Sequence, residues 1–261
     1  MKKCFLSFAL VAMFSGLSFG QLIDEKNVTV TMDLQPVLQL HMTTPDQVDF
    51  VFDDIREYYS GIIKYAATIL KVSSSVTWDL YAVGTSQAGT IWDQQMTYSG
   101  GGGANAISAL PLSCLELHQY EANRYDANAA GGTATDYSGL FQDAQTAAPV
   151  VGQNSIFYSA TPYTAPGVDQ KYIQGHSGTV AGDDGAPGGS YLIASPGVGQ
   201  DFTDYYFTID YRIVPGLPAI FPFAGDNLGN AEDLETVNAA GAYANPGVYT
   251  MNVKYILLED Q

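Results

Sequence analysis

The chain has 261 residues, with 10 Lys and Arg against 27 Asp and Glu, a formal net charge of −17 at pH 7. So acidic a surface repels phosphate backbones and argues against a nucleic-acid partner, while it favours solubility and attracts cations. Tyrosine (18) and glycine (27) are abundant and strong helix formers are sparse, a mix that suits strands joined by turns.

Residues 1–20 read as a secretory signal peptide. Lys2 and Lys3 form a positive start, 4–17 is an apolar core too short to span a bilayer, and Ser18-Phe19-Gly20 sets small residues before Gln21. Cys4 stands at the start of that core and not after it, so it is not a lipoprotein cysteine. The expected address is secreted, extracellular or cell-surface, with a bacterial periplasm in transit. Removing the leader takes away two lysines and no acids, leaving 8 basic against 27 acidic side chains, a net −19. No later stretch reaches the roughly 18 apolar residues of a membrane helix, so no transmembrane segment is expected in the mature chain. Cys114 is the one cysteine of the mature chain, which excludes a disulfide scaffold. It reads as a small buried apolar residue, with an intermolecular disulfide or a reactive thiol as the alternative.

Val28, Val30, Met32 and Leu34 alternate with polar residues and predict a first strand. Pro36 interrupts it, implying an edge, a bulge or a change of sheet. Leu38, Leu40 and Met42 continue the pattern, and Val48, Phe50 and Phe52 make a third run. Residues 53–61 predict a short helical or loop piece ending at Gly61. The clearest pair of strands is 62–72 and 76–82, joined by Ser73-Ser74-Ser75, with Trp78 at the centre of the core. Residues 91–98 form a weaker strand before Gly100 to Gly103. In 107–120 the alternation slips, and a bulge near Ser113-Cys114 is predicted. The 121–200 stretch is rich in Ala, Gly, Thr, Asn and Asp; it reads as a loop-rich insertion or decorated face with short strands at 155–160, 171–174 and 190–194. Strong alternation returns at 205–213. After Asn245-Pro246-Gly247, Tyr249, Met251, Val253, Tyr255 and Leu257 predict a closing core strand, expected to pair with the first. Ile256 and Leu258 make the other face of its tip apolar as well, so that the insertion or another molecule must cover it.

These elements predict an all-β, antiparallel β-sandwich, Ig-like, pilin-like or jelly-roll, as one domain over 21–261. The residues give little catalytic chemistry. Gly84-Thr85-Ser86-Gln87-Ala88 lacks the strand-turn-helix context of a nucleophile elbow. His41, His118 and His176 have no metal-ligand spacing. Glu116 and His118 share a strand face and read as an exposed polar pair. The acidic loops containing Asp183, Asp184, Asp226, Glu232 and Asp233 offer oxygen ligands for a structural Ca²⁺, with plain solvated loops as the alternative. No other cofactor is expected, and the chain does not read as an enzyme. Paired carboxylates for glycoside hydrolysis are the third-ranked reading.

Gly247-Val248-Tyr249 followed by the alternating 250–257 run resembles the end of exported bacterial fimbrial subunits and spore-coat-like surface domains. The serine-rich turn before Trp78 is similar to secreted surface proteins of Gram-negative bacteria. This chain is longer than a typical pilin subunit and lacks the paired cysteines that many of them carry. With the leader and the strands at both ends, it leads to the expectation of a structural or adhesive cell-surface subunit. Its partners are other copies or related subunits, and filaments form by exchange of a terminal strand. Val28, Val30, Met32, Leu34, Ile256 and Leu258 are the candidate interface. The alternative is an extracellular carbohydrate-binding module, Ca²⁺-assisted or not, stacking glycans on Tyr125, Tyr137, Tyr158, Tyr163, Tyr172 and Tyr191.

Overall fold

The computed structural model describes residues 25–26, 28–54, 57, 61–98, 106–124, 136–141, 154–166, 171–175, 185–193, 202–213, 224–225, 231–232 and 243–260. The chain divides between Gln35 and Pro36. In the first part, residues 28–35 are extended and join no ladder, so the strand expected there is absent. The alternation that predicted it has the period of a strand but lacks a neighbouring one, and a strand is defined by its pairing.

The second part is an antiparallel sandwich. Its strands are β1 (Leu38–Met42), β2 (Ile62–Ser74), β3 (Trp78–Thr85), β4 (Asp93–Thr97), β5 (Ala106–Ile107), β6 (Leu115–Gln119), β7 (Gly189–Ser190), β8 (Tyr206–Ile213), β9 (Ala224–Gly225), β10 (Ala231–Glu232), β11 (Tyr243–Ala244), β12 (Gly247–Thr250) and β13 (Asn252–Glu259). One sheet runs β1-β2-β8-β6, with β7 paired to the end of β2. The facing layer consists of two separate two-stranded ladders, β13 with β3 and β12 with β4. Two-residue ladders join β9 to β10 and, in parallel, β5 to β11.

Period-two alternation places Leu70, Val72, Leu115, Leu117, Phe207 and Ile209 on the inner face of the first sheet. Trp78, Leu80 and Ala82 face them from β3, with Tyr249, Met251, Val253, Tyr255 and Leu257 partly buried from β12, β13 and the residue between them. Trp78 is fully buried, edge-on to Phe207 at 6.2 Å, and its indole N–H reaches the Pro187 carbonyl at 3.1 Å.

Several local expectations change. The closing strand pairs with β3 rather than with the first strand. The slip near Ser113 is a 3-10 turn over Leu112–Cys114, which separates β5 from β6 and buries Cys114. Residues 47–53 are extended without a ladder; Val48, Phe50 and Phe52 nevertheless lean on the core, while Asp49, Val51 and Asp53 face solvent. Gly61 adopts φ +71° and closes a turn on the Glu57 carbonyl, as its predicted helix-terminating place requires. Within 121–200, single bridges at Ser155, Tyr158 and Gln174 replace the strands expected at 155–160 and 171–174, and the one expected at 190–194 is cut to the two-residue β7, Gly189–Ser190. They seal two edges: the outer edge of β6 meets Asn154–Ile156 backbone, and that of β3 meets Phe157, Gln174 and Ala186.

Candidate functional site

The outer face of the first sheet carries an unexpected polar cluster. On β6, Leu115 and Leu117 point inward, so Glu116 and His118 point out; β8 opposes them with Arg212 and Asp210 in register. These four residues are only 2–9 % exposed, which corrects the expectation of an exposed Glu116–His118 pair. Glu116 instead accepts from Arg212 Nε, and the Arg212 guanidinium lies 4.7 Å from the centre of the Phe141 ring. Burial pushes the Glu116 carboxyl up, against the opposing pull of Arg212 and then Lys171.

Asp210 is the centre of the cluster. The β2–β8 register breaks between Lys64 and Thr68, which leaves residues 65–67 facing Asp210 alone. In that bulge Ala66 takes φ +47°, the single non-glycine positive φ among the described residues. A side chain costs about 1–2 kcal/mol in that region. The strained backbone aims the Ala66 N–H at Asp210 Oδ1, 2.6 Å away. The other carboxylate oxygen lies 3.1 Å from His118 Nδ1. A carboxylate only accepts, so Nδ1 carries the shared proton. The Tyr120 hydroxyl is a third neighbour: the Asp210 charge raises its pKa most, then desolvation and its hydrogen bond to the same carboxylate. Tyr120 stands edge-on to His118, with ring centres 5.1 Å apart, and Phe141 lies 5.8 Å from the same imidazole. Tyr120 and Tyr65 are both exposed, at 54 % and 69 %.

Beside the cluster, Lys171 is buried at the outer edge of β6. Its amine contacts the Ser155 carbonyl at 3.3 Å and sits 5.0 Å over the Tyr137 ring. Burial lowers its pKa to about 7, against the pull of Glu116 and Asp136.

A second feature is the set of strand edges. Neither the outer edge of β1 nor that of β13 joins a ladder among the described residues, and the two strands approach each other within 8 Å between Cα atoms. Ile256 and Leu258 are half-buried against Tyr81, Val83, Phe157 and Tyr172. Residues 157 and 172 of the 121–200 stretch therefore contribute to covering that face. In the terminal segment, Val28, Val30, Met32 and Leu34 are 77–85 % exposed.

Other sequence candidates are dispersed. His41 stacks on Tyr191 at 6.5 Å, on the same outer face as Lys71 and Tyr206. His176, Asp183, Asp184, Asp226 and Asp233 lie outside the described residues, as does the side chain of Glu232, whose backbone is in β10. Among the described residues no three His, Cys, Asp or Glu side chains converge as metal ligands, and no helix is long and apolar enough to cross a membrane. Of the tyrosines considered for sugar stacking, Tyr137 and Tyr172 are buried in the core, Tyr163 is exposed, and Tyr125 lies outside the described residues. Compared with known proteins, the chain matches no protein-family model and no curated sequence.

Proposed function

We propose that the protein is an exported structural or adhesive surface subunit, and that copies associate when the 28–34 segment of one adds as a strand to a free sheet edge of another. The observation that carries this reading is the segment itself: extended, outside any ladder, with four apolar side chains in strand alternation exposed to solvent. An apolar side chain of this size stabilises by about 1.5–3 kcal/mol when it moves from water into a core. An unpaired edge supplies the backbone partners that such a strand lacks, and among the described residues β1 and β13 both offer one.

Deletion of residues 21–35 tests the reading. The full mature chain forms oligomers or filaments in sedimentation and negative-stain microscopy, whereas the shortened chain stays a folded monomer with unchanged far-UV circular dichroism. A full mature chain that remains monomeric at high concentration and on cells overturns the proposal.

A further inference from the structure

We infer that Lys254, on the outer face of β13, sets the register of association by pairing with Asp33 of a second copy as residues 28–34 of that copy add antiparallel to the β13 edge. The inference rests on the strand addition proposed above and names the edge and the specificity contact that it uses.

The hydrogen-bond pattern shows what β13 leaves open. Trp78, Leu80 and Gly84 turn their N–H and C=O groups to the outer edge of β3, where they meet Ala186, residues 173–174, and Phe157 with Ser159. Backbone direction alternates along a strand, so Asp79, Tyr81, Val83 and Thr85 are the β3 residues that bond to β13. Their register partners are Leu258, Ile256, Lys254 and Asn252. Val253, Tyr255, Leu257 and Glu259 therefore turn their backbone groups to the free edge, where no ladder takes them among the described residues. The side chains of Val253, Tyr255 and Leu257 pack toward the core yet stay half-buried, whereas Trp78, Leu80 and Ala82 of β3 are fully buried. The core is thus incompletely covered along β13.

An added strand that completes this cover sets Val28, Val30, Met32 and Leu34 opposite the odd-numbered residues of β13; a slip of one residue would turn Thr29, Thr31 and Asp33 inward instead. Charge then selects among the remaining registers. Asp33 is the one charged residue in 27–35, and Lys254 is the one basic residue after Arg212. With Asp33 opposite Lys254 in an antiparallel pair, Leu34, Met32 and Val30 meet Val253, Tyr255 and Leu257. That position is a non-hydrogen-bonded pair, the kind in which cross-strand side chains come closer. A slip of two residues sets Asp33 against Asn252 or Ile256, and a parallel strand over 253–259 carries it toward Glu259. Both charges are available for the pair. Lys254 Nζ lies 5.2 Å from the centre of the Tyr163 ring and meets no carboxylate among the described residues. Asp33 accepts from the exposed Gln35 amide of its own segment at 2.7 Å.

The β1 edge is the poorer acceptor, five residues long against eight and without a lysine or arginine. It comes within 8 Å of β13 between Cα atoms, less than the two spacings of about 4.8 Å that an intervening strand needs, so β1 yields outward where the strand enters. Against a net charge of −17, one surface pair leaves the overall repulsion between copies in place; what it supplies is register.

Sedimentation equilibrium of full mature chains at about 150 mM sodium chloride tests the inference. Lys254→Glu associates about fivefold more weakly than Lys64→Glu, which makes the same charge change at an exposed position of β2. Asp33→Lys weakens association comparably, although it lowers the net negative charge; the residue lies outside every ladder, so this loss is not a loss of fold. Asp33→Lys with Lys254→Glu in one chain keeps the wild-type net charge and restores association. Mixing the two single variants restores it as well, which places the pair between copies. Equal association of Lys254→Glu and Lys64→Glu, or a double variant no better than its singles, overturns the pairing while strand addition stands. A wild type that stays monomeric overturns both.

Discussion

Two residues hold conformations or charge states that the fold must enforce, and each makes a testable prediction. Lys171 is held with its pKa lowered to about 7 by burial. From there up to its ordinary value the unfolded chain binds a proton that the folded chain does not. Stability therefore rises with pH through this window, by at most about 1.4 kcal/mol per unit. Above pH 10 the trend reverses, because Tyr137 and Tyr172, pushed up chiefly by burial, ionise in the unfolded chain first. Urea unfolding at intervals between pH 7 and 9.5 should show the rise, and Lys171→Met should flatten it while adding about 2 kcal/mol at pH 7.5. Ala66 is the other case. At φ +47° a methyl group is strained and glycine is not. Ala66→Gly retains the N–H that binds Asp210 and should stabilise by about 1 kcal/mol, seen as a rise of about 2–4 °C in the unfolding midpoint. A fall would mean that the bulge is not strained.

At the scale of elements, β6 and β8 are joined on their outer face by a charge pair that little water reaches. Removing one partner takes from the other its closest buried counter-charge, whereas replacing both removes the desolvation cost together with the attraction. Glu116→Leu should destabilise by about 3–5 kcal/mol, and Glu116→Leu with Arg212→Met by much less; a double-mutant cycle in urea measures the difference. The same strands mark what was legible in the chain. Alternation identified the core-facing residues of β3, β8 and β13 and put Glu116 and His118 on one face, because side-chain direction follows from local periodicity alone. It could not place Arg212 and Asp210 opposite them. That depends on the register between strands about ninety residues apart, and register is a property of pairing, not of either strand. The Ala66 bulge was equally hidden, since Lys64-Tyr65-Ala66-Ala67 holds no glycine or asparagine to signal a positive φ. The partner of the closing strand was misjudged for a related reason. The run at 28–34 joins no ladder, and β13 takes the edge of β3 instead, a choice made by pairing and not by the period of either strand.

For the whole molecule, charge and the exposed terminal segment act against each other. A chain of net −17 repels its own copies over distances set by salt, about 30 Å at 0.01 M and about 8 Å at 0.15 M. Strand addition draws instead on apolar burial and backbone pairing, which salt screens hardly at all. Association through residues 28–34 should therefore strengthen as sodium chloride rises from about 10 to 150 mM, the range in which the screening length shrinks below the size of the molecule. Sedimentation velocity across that range should show mass shifting from monomer to oligomer, and the chain lacking 21–35 should show no shift. An association held by salt bridges between copies would weaken over the same range. The sign of the salt dependence thus separates apolar strand addition from electrostatic contact. Acidification gives a second handle on the same balance: protonating surface carboxylates lowers the repulsion without touching Val28, Val30, Met32 or Leu34, so oligomers should also grow as the pH falls toward the sequence pI near 4.1.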